Sequence, residues 1–579
     1  MDGRRILDGW KSISAYLGRS GRTCRKWEQE LGLPVHRLDD SASAHVFAYA
    51  DELERWKEDK LQGETGQKVR RLSGPGRKTR VWLIAASLVT VLAVIGILVR
   101  PTKLGEKSPG PQTVKRIVIL PFVDLSPDKA QEHLGDGIAD ILINALHRVE
   151  GLRTAARTSA FYFKGKDVTP KEIGRKLNVE WILEGSVQVS ENRMRVVASL
   201  LSAADGFQLW TERYDRDPVD IFAVEDEIAR MVVDSLKVKI MGEKKAPLVK
   251  PGTANREAYN LYSQGRYLWS KRGFNDLLNA IEFFKRAIDL DPRFALGYAG
   301  LSDAYSVLGA NCSLPAHETF PKSLDYAVKA LEIDDQLAEA HSALGSVKLS
   351  YEWDFAGAEK EIKRAMDIEP EDGNYHARYA ILLSNLGKHE DAIKEIKLAR
   401  DLDPLNLRIR ANVGNYLYFA RRYTEAEQEL KRELEFEPEN CIVYVDLQKL
   451  YAAMDRYEEA LEFGAPKHSN CAFGNQTMNI ELVNARQAFV YARMGNTEEA
   501  RKILRGREYI SGPGEFISRA YLAATYGFLG ETDKAFRLLE KAYEERDSRM
   551  VHLKVDPRFD SLRSDPRFGD LLRRVGLEK

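Results

Sequence analysis

Between Val81 and Val99 the chain runs nineteen residues without a charge, VWLIAASLVTVLAVIGILV, with Ser87 and Thr90 its only polar side chains. At about 1.5 Å per residue such a helix reaches roughly 28 Å, close to the hydrocarbon thickness of a bilayer. A buried core helix of that length would keep a polar face. The pattern therefore predicts one transmembrane helix. The eighty residues ahead of it pattern as folded structure, unlike a cleavable leader. On the N-terminal side, Trp10, Ile13, Tyr16 and Leu17 share one face of a helix. Gly18 and Arg19 break it. Ser20 then caps a second helix, Gly21 to Leu31, whose Cys24, Trp27 and Leu31 turn inward. Gly32-Leu33-Pro34 stops that helix. Val35-His36-Arg37 and His45-Val46-Phe47 read as two short strands around a polar loop, and a last helix, Asp51 to Lys60, offers Leu53 and Trp56. Two short helices joined by a glycine-containing turn and followed by a wing make a winged helix-turn-helix.

Beyond the apolar run the rhythm changes to alternation. Val114 to Phe122 reads as a strand that Pro121 ends, and residues 131–148 as a helix with Leu134, Ile138, Ile141, Leu142 and Leu146 on one side. Residues 169–177 form a shorter helix, with Thr169 at its cap and Pro170 in its first position. Glu180–Ser190 and Arg193–Ser202 alternate apolar and polar and pair as a hairpin across Glu191-Asn192. Phe207–Tyr214 is a further strand and Ile221–Lys237 a closing helix, giving an α+β domain.

From residue 254 a third rhythm takes over. Pro370, Pro404 and Pro438 are spaced by 34, and Ala358, Ala392 and Ala426 precede them at the same interval. Thirty-four residues is the tetratricopeptide period, in which Ala lets two helices approach and Pro ends the second. Ala280, Phe284, Ala287 and Pro292 mark the first copy, and Arg519–Ala542 the last of about eight. Such arrays present concave surfaces that bind peptides or proteins. Residues 464–478 interrupt the array, and the tail reads as a capping helix. The expected fold is thus multidomain: winged helix-turn-helix head 1–62, basic tether 63–80, transmembrane helix 81–99, α+β domain 114–240, all-α tetratricopeptide solenoid 254–546 and cap 547–579.

The run GWKSISAYLGRSGRTCRKWEQELGLPVHR resembles the heads of excisionase- or MerR-like winged helix-turn-helix domains. The runs VILPFVDLS, GDGIADILINAL and VEWILEGSVQVSENRMRVVASLLSAADGFQLWTERYD resemble the TolB N-terminal-like (FlgO-like) domain of bacterial envelope proteins. That resemblance implies a binding and assembly module. The whole architecture resembles single-pass membrane regulators of the cadaverine- and cholera-toxin-regulator type. It implies a transcription regulator of the inner membrane, with a cytoplasmic head on double-stranded DNA and a periplasmic sensor that takes a protein or peptide ligand. Dimerisation to a homodimer would set two heads on adjacent half-sites about 34 Å apart.

Charge sharpens this picture. Residues 1–80 carry 17 Lys and Arg against 12 Asp and Glu, and residues 101–579 carry 69 against 75, so the basic part is the head. Lys68, Arg70, Arg71, Arg77, Lys78 and Arg80 flank the apolar run on that side, orienting it N-terminus inward and facing the lipid bilayer's anionic head groups. The DNA-binding candidates are Arg19, Ser20, Arg22, Thr23, Arg25, Lys26, Gln29 and Arg37, on and beside the second helix. Asp39 and Asp40 in the wing weigh against contact there. Four cysteines, Cys24, Cys312, Cys441 and Cys471, form no metal-ligand spacing; Cys441 and Cys471 are either a disulfide or buried thiols. No phosphate loop, zinc motif or nucleophile–His–acid order appears, and Asp136, Asp140, Glu184 and Asp205 sit on different elements. The expectation is a non-enzyme without cofactor or metal. One alternative is an envelope scaffold that binds proteins but not DNA; another is a partner of a cyclase or kinase.

Overall fold

The computed structural model describes residues 6–17, 21–31, 33–37, 46–53, 56, 114–127, 132–147, 149, 151–190, 193–217, 221–236, 252–310, 314–464, 480–505 and 518–578. The chain divides into two units, Met1–Gly110 and Pro111–Lys579.

In the first unit a short strand β1 (Ile6–Asp8) leads into α1 (Gly9–Leu17) and α2 (Gly21–Leu31), then β2 (His36–Arg37) and β3 (Val46–Tyr49). The sheet is antiparallel in the order β1-β3-β2. Leu7, Ile13, Cys24, Leu33, Val46, Ala48 and Leu53 are buried together. The Trp27 ring lies 5.7 Å from Trp56, which fixes the inward side of α2. Among the described residues the head is therefore two short helices on a small antiparallel sheet. β1 went unforeseen because three residues are too few to show alternation.

The second unit opens with β4 (Lys115–Ile119), β5 (Val123–Asp124), α3 (Glu132–His147), β6 (Leu152–Thr154), α4 (Arg157–Phe161), α5 (Pro170–Leu177), β7 (Trp181–Ser190), β8 (Arg193–Ser202), β9 (Gln208–Arg216) and α6 (Ile221–Leu236). The main sheet order is β6-β4-β7-β8-β9, with β4 parallel to β6 and β7, and β7, β8 and β9 antiparallel. Thr169 caps α5 by accepting from the Glu172 amide. Helices α3 and α6 pack together and against the sheet, burying Leu183, Val187, Val196 and Leu200.

Eight helix pairs among the described residues follow: α7 (Arg256–Lys271) and α8 (Phe274–Leu290), α9 (Ala295–Ala310) and α10 (Ala316–Ile333), α11 (Ala338–Val347) and α12 (Phe355–Ile368), α13 (Gly373–Asn385) and α14 (His389–Leu402), α15 (Leu407–Phe419) and α16 (Tyr423–Phe436), α17 (Cys441–Ala453) and α18 (Tyr457–Phe463), α19 (Ile480–Arg493) and α20 (Thr497–Leu504), α21 (Arg519–Phe528) and α22 (Thr532–Glu544). Two 3-10 segments, Ser548–His552 and Pro557–Leu562, precede α23 (Pro566–Val575). Each pair closes on small residues: a Cβ at Gly414 would lie 2.5 Å from Leu430 Cγ, and Ala358, Ala392 and Ala426 are wholly buried. Pro370, Pro404 and Pro438 each end a second helix, and two residues later Asp372, Asn406 and Asn440 cap the next helix through their side chains. Six residues after each proline a donor reaches back to its carbonyl: His376 Nε2 at 2.9 Å, Arg410 Nη1 at 2.8 Å and Tyr444 Oη at 3.1 Å. This is a tetratricopeptide-like solenoid, and it continues the sheet domain rather than hanging from it. One apolar core runs from Ile117 and Leu142 through Tyr259, Phe284 and Leu308. Gly137 makes this close approach possible, since a Cβ there would lie 3.1 Å from Ser263 Oγ on α7.

The second unit is mostly helical with a small sheet domain, and this corrects the expected fold class. No helix among the described residues is long and apolar enough to cross a membrane. The longest, α10 with 18 residues, holds Pro321 and a charge in nearly every turn, including Glu318, Lys322, Asp325, Lys329 and Glu332. The transmembrane helix expected at 81–99, its tether and the inner-membrane localisation built on them therefore find no support; residues 57–113 lie outside the described residues. Of the interruption expected at 464–478, residues 465–478 lie outside them as well.

Candidate functional site

The first helices of successive repeats, α9, α11, α13, α15, α17 and α19, pack on one another, which places them on the inside of the curve. Arg378 of α13 spans three of them: its Nη2 donates to Asp303 on α9 at 2.9 Å and its Nη1 to the Ser346 hydroxyl on α11. Lys449 of α17 donates to Asn415 on α15 at 2.6 Å and pairs with Asp446 at 2.6 Å. Further arginines, Arg272, Arg408 and Arg486, lie on or at the end of first helices. Arg272, stacked 3.6 Å over the Trp269 ring, is held well below the usual guanidinium range, first by burial and then by Arg408. Burial, then Arg549 and Arg378, lower Arg408. Burial and Arg558 bring Arg486 down to about 10. Like charges crowding on one surface raise its local potential, which Asp303 and Asp446 offset in part.

Two segments flank this face. The 3-10 stretch crosses the C-terminal ends of the first helices. Ser548 Oγ donates to the Ala310 carbonyl at 3.4 Å, and His552 Nδ1 lies 2.8 Å from Asn385 Oδ1. Tyr418 Oη donates to Asp556 at 3.3 Å, and Arg421 grips Asp560 in bidentate fashion at 2.5 and 2.7 Å. Burial takes His552 down to about 3, so it is a neutral ring there. Farther on, Trp353 and Phe355 share a core with Leu571, Leu572 and Val575, and the Trp353 ring lies 5.2 Å from Tyr543. The other flank is the sheet domain. Arg153 pairs with Glu371, Ser159 Oγ donates to the buried Asp403 at 2.6 Å, and Tyr162 Oη donates to Glu437 at 3.1 Å. These partners are the turns between one repeat and the next. No motif announces Arg272, Arg378 or Arg408. The positions 34 residues on from Arg378 and Arg408 are Asn412 and Ile442, so no periodic signal marks them.

Of the expected DNA-contacting residues, Arg25 and Lys26 are exposed on α2, Arg25 stacking 5.5 Å over the Trp10 ring, and Thr23 is half-buried. Arg22 and Gln29 lie on α2 and Arg37 on β2, while Arg19 and Ser20 lie outside the described residues. The carboxylates weighed for catalysis are dispersed. Asp136 pairs with Lys164 at 2.7 Å, Asp140 pairs with Arg157 at 2.8 Å, and Asp205 accepts from the Phe207 amide at 3.2 Å. Among the described residues no group of three or more His, Cys, Asp or Glu is placed to hold a metal. Cys24 is a free buried thiol, whereas Cys441 is disulfide-bonded.

No family model matches the chain. A protein of Rhizobium meliloti (strain 1021) named putative adenylate cyclase 3 is 35% identical over 202 residues, 35% of this chain and 34% of that protein. The chain thus spans about a third of the length of the curated relative it matches. That relative's name points to an enzyme and overturns the expectation of a non-enzyme. Among solved structures, a thermophilic tetratricopeptide protein of Thermus thermophilus is similar at 20% identity, covering 34% of this chain and 95% of that one, with a TM-score of 0.25. Yeast Tom70 is similar at 14% identity over 55% of this chain and 68% of its own, with a TM-score of 0.35. Cut9–Hcn1 of the APC/C is similar at 14% identity over 61% and 59%, with a TM-score of 0.38.

Proposed function

We propose that this chain is a protein-binding scaffold whose repeat array holds an acidic segment of a partner against its inner face. The observation that carries the reading is the run of cations there, Arg272, Arg378, Arg408 and Arg486, set on first helices or at their ends; burial and neighbouring arginines lower Arg272, Arg408 and Arg486. The test is fluorescence anisotropy of the full chain with a decaglutamate peptide and a decalysine control. Arg408→Glu should weaken the acidic peptide at least tenfold, with a steep loss on raising salt. Equal affinity for both peptides sinks the reading.

A second reading adds duplex DNA binding by the head, favoured by Arg25 and Lys26 standing exposed on α2 while Trp27 packs on Trp56. Arg19, Ser20, Arg22, Thr23, Gln29 and Arg37 would share that contact. Arg25→Ala should flatten the salt dependence of binding to duplex DNA; a slope near zero in the native chain removes the reading. The relative's name brings a third: a part in making cyclic AMP. Incubation of the full chain with ATP and Mg²⁺ or Mn²⁺, followed by measurement of cyclic AMP, decides it.

A further inference from the structure

The sheet domain carries a cleft that neither the array nor the head accounts for. Residues 182, 184 and 186 of β7 point to one side, because side chains alternate along a strand. Cross-strand register sets Glu184 opposite Ser199 and Ser186 opposite Val197. Helix α5 lies over this side of the sheet and buries Ile173 against it, but it has only eight residues. Where its cover stops, a cavity of about 880 Å³ opens, floored by Glu184, Ser186 and Ser199 and walled by Leu120, Phe163, Val168 and Ile173. That volume falls in the range of small-molecule sites, and the mix of apolar walls with a few polar groups is their usual chemistry.

The charges of the cleft are unevenly committed. Lys164 is held by Asp136 at 2.7 Å and Glu132 at 2.9 Å. Lys166 sits 3.4 Å over the Tyr162 ring. Beyond the lining, on β8 and β9, Arg195 and Arg213 both grip Asp215. The Ser199 hydroxyl is bonded to Thr211 at 2.9 Å. Glu184 alone has no cation or hydrogen-bond partner among the described residues. Burial pushes its carboxyl above the usual range, and no charge offsets that push. Glu184 is open to solvent as well as lining the cleft, so an entering cation can reach its carboxylate.

We infer that this cleft binds a small hydrophobic cation, a primary amine whose ammonium group pairs with Glu184 and whose apolar body lies between Phe163, Val168 and Ile173. The site is independent of the groove reading above. The test is calorimetric titration of the full chain with hexylammonium chloride, with 1-hexanol as the uncharged match. Hexylammonium should bind at least tenfold tighter than hexanol. Glu184→Gln should abolish that difference while leaving hexanol binding and the circular dichroism spectrum as they were. Ser199→Leu, which fills the floor from the opposite strand, should weaken both probes. If the amine binds no tighter than the alcohol, if Glu184→Gln leaves amine affinity intact, or if neither probe binds at about 1 mM, the inference is wrong.

Discussion

Replacing Arg410 with alanine tests how the array is held together. Arg410 on α15 gives Nε to Glu433 at 2.5 Å and Nη2 to the other carboxylate oxygen at 3.1 Å. Its Nη1 reaches the Pro404 carbonyl at 2.8 Å, and its guanidinium lies 3.9 Å over the Phe436 ring. The Glu433 side chain is 2% exposed and that of Arg410 13%, so solvent screens the pair little. Removing one member of a buried pair strands the other charge, at about 3–5 kcal/mol. Arg410→Ala should therefore cost about 4 kcal/mol locally. Because repeats open locally, that appears as amide exchange on the order of a thousand-fold faster between residues 403 and 436, read by hydrogen-exchange mass spectrometry. Burial already holds the Glu433 carboxyl above its usual range, with Arg410 pulling the other way, so its loss raises the carboxyl further. A carboxyl raised in the folded state binds a proton there first. The stability this supplies is present at acid pH and lost as pH rises through the folded value, so the defect should shrink from pH 7 toward pH 5. Arg410→Met combined with Glu433→Met should restore protection to within about 1–2 kcal/mol of the native chain, since apolar isosteres remove both desolvation costs. A single variant that loses less than about 1 kcal/mol, or a double variant worse than the single, would refute the reasoning.

Asp403, wholly buried at the joint with the sheet domain, is pushed up to about 6 by burial. Its folded value lies above the unfolded one, so the joint should be firmest below about pH 4 and loosen as pH rises through 6; proteolysis near residues 157–162 should quicken from pH 5 to pH 7.5, and a pH-independent rate contradicts this. Gly414→Ala places a methyl 2.5 Å from Leu430 and should destabilise the fifth repeat by about 1–3 kcal/mol in urea unfolding, whereas the capping variant Asn440→Ala should cost about 1 kcal/mol. Asp560→Asn breaks the Arg421 pair, but both side chains are more than a third exposed, so thermal unfolding should move by under about 1 kcal/mol.

Much of the fold could be read ahead of the structure where spacing is physical. The 34-residue intervals of Ala and Pro follow from close helix contact and helix termination, and the helix pairs fall on them. The β7–β8 hairpin is visible because alternation over ten residues has few other meanings. What escapes is chemistry repeated in role but not in residue type. His376, Arg410 and Tyr444 all donate to the proline six residues back, yet no spelling links them. The tie between Ser159 and Asp403 is equally hidden, since 244 residues separate partners that only the superhelix brings together. In the head, the outward face of α2 follows from Trp27 turning inward, and Arg25 and Lys26 do stand exposed there.

An open stack of repeats can gain or drop a unit at its end with little consequence for the rest. Here Tyr543 and Val575 lean on Trp353 and Phe355, so the final turns wall the third pair. Adding one copy in the middle would pull that wall out of register, and trimming the tail would wet residues two hundred positions upstream. The number of repeats between the third pair and the tail is consequently tied to this contact, which hinders duplication of a single unit as a route for change.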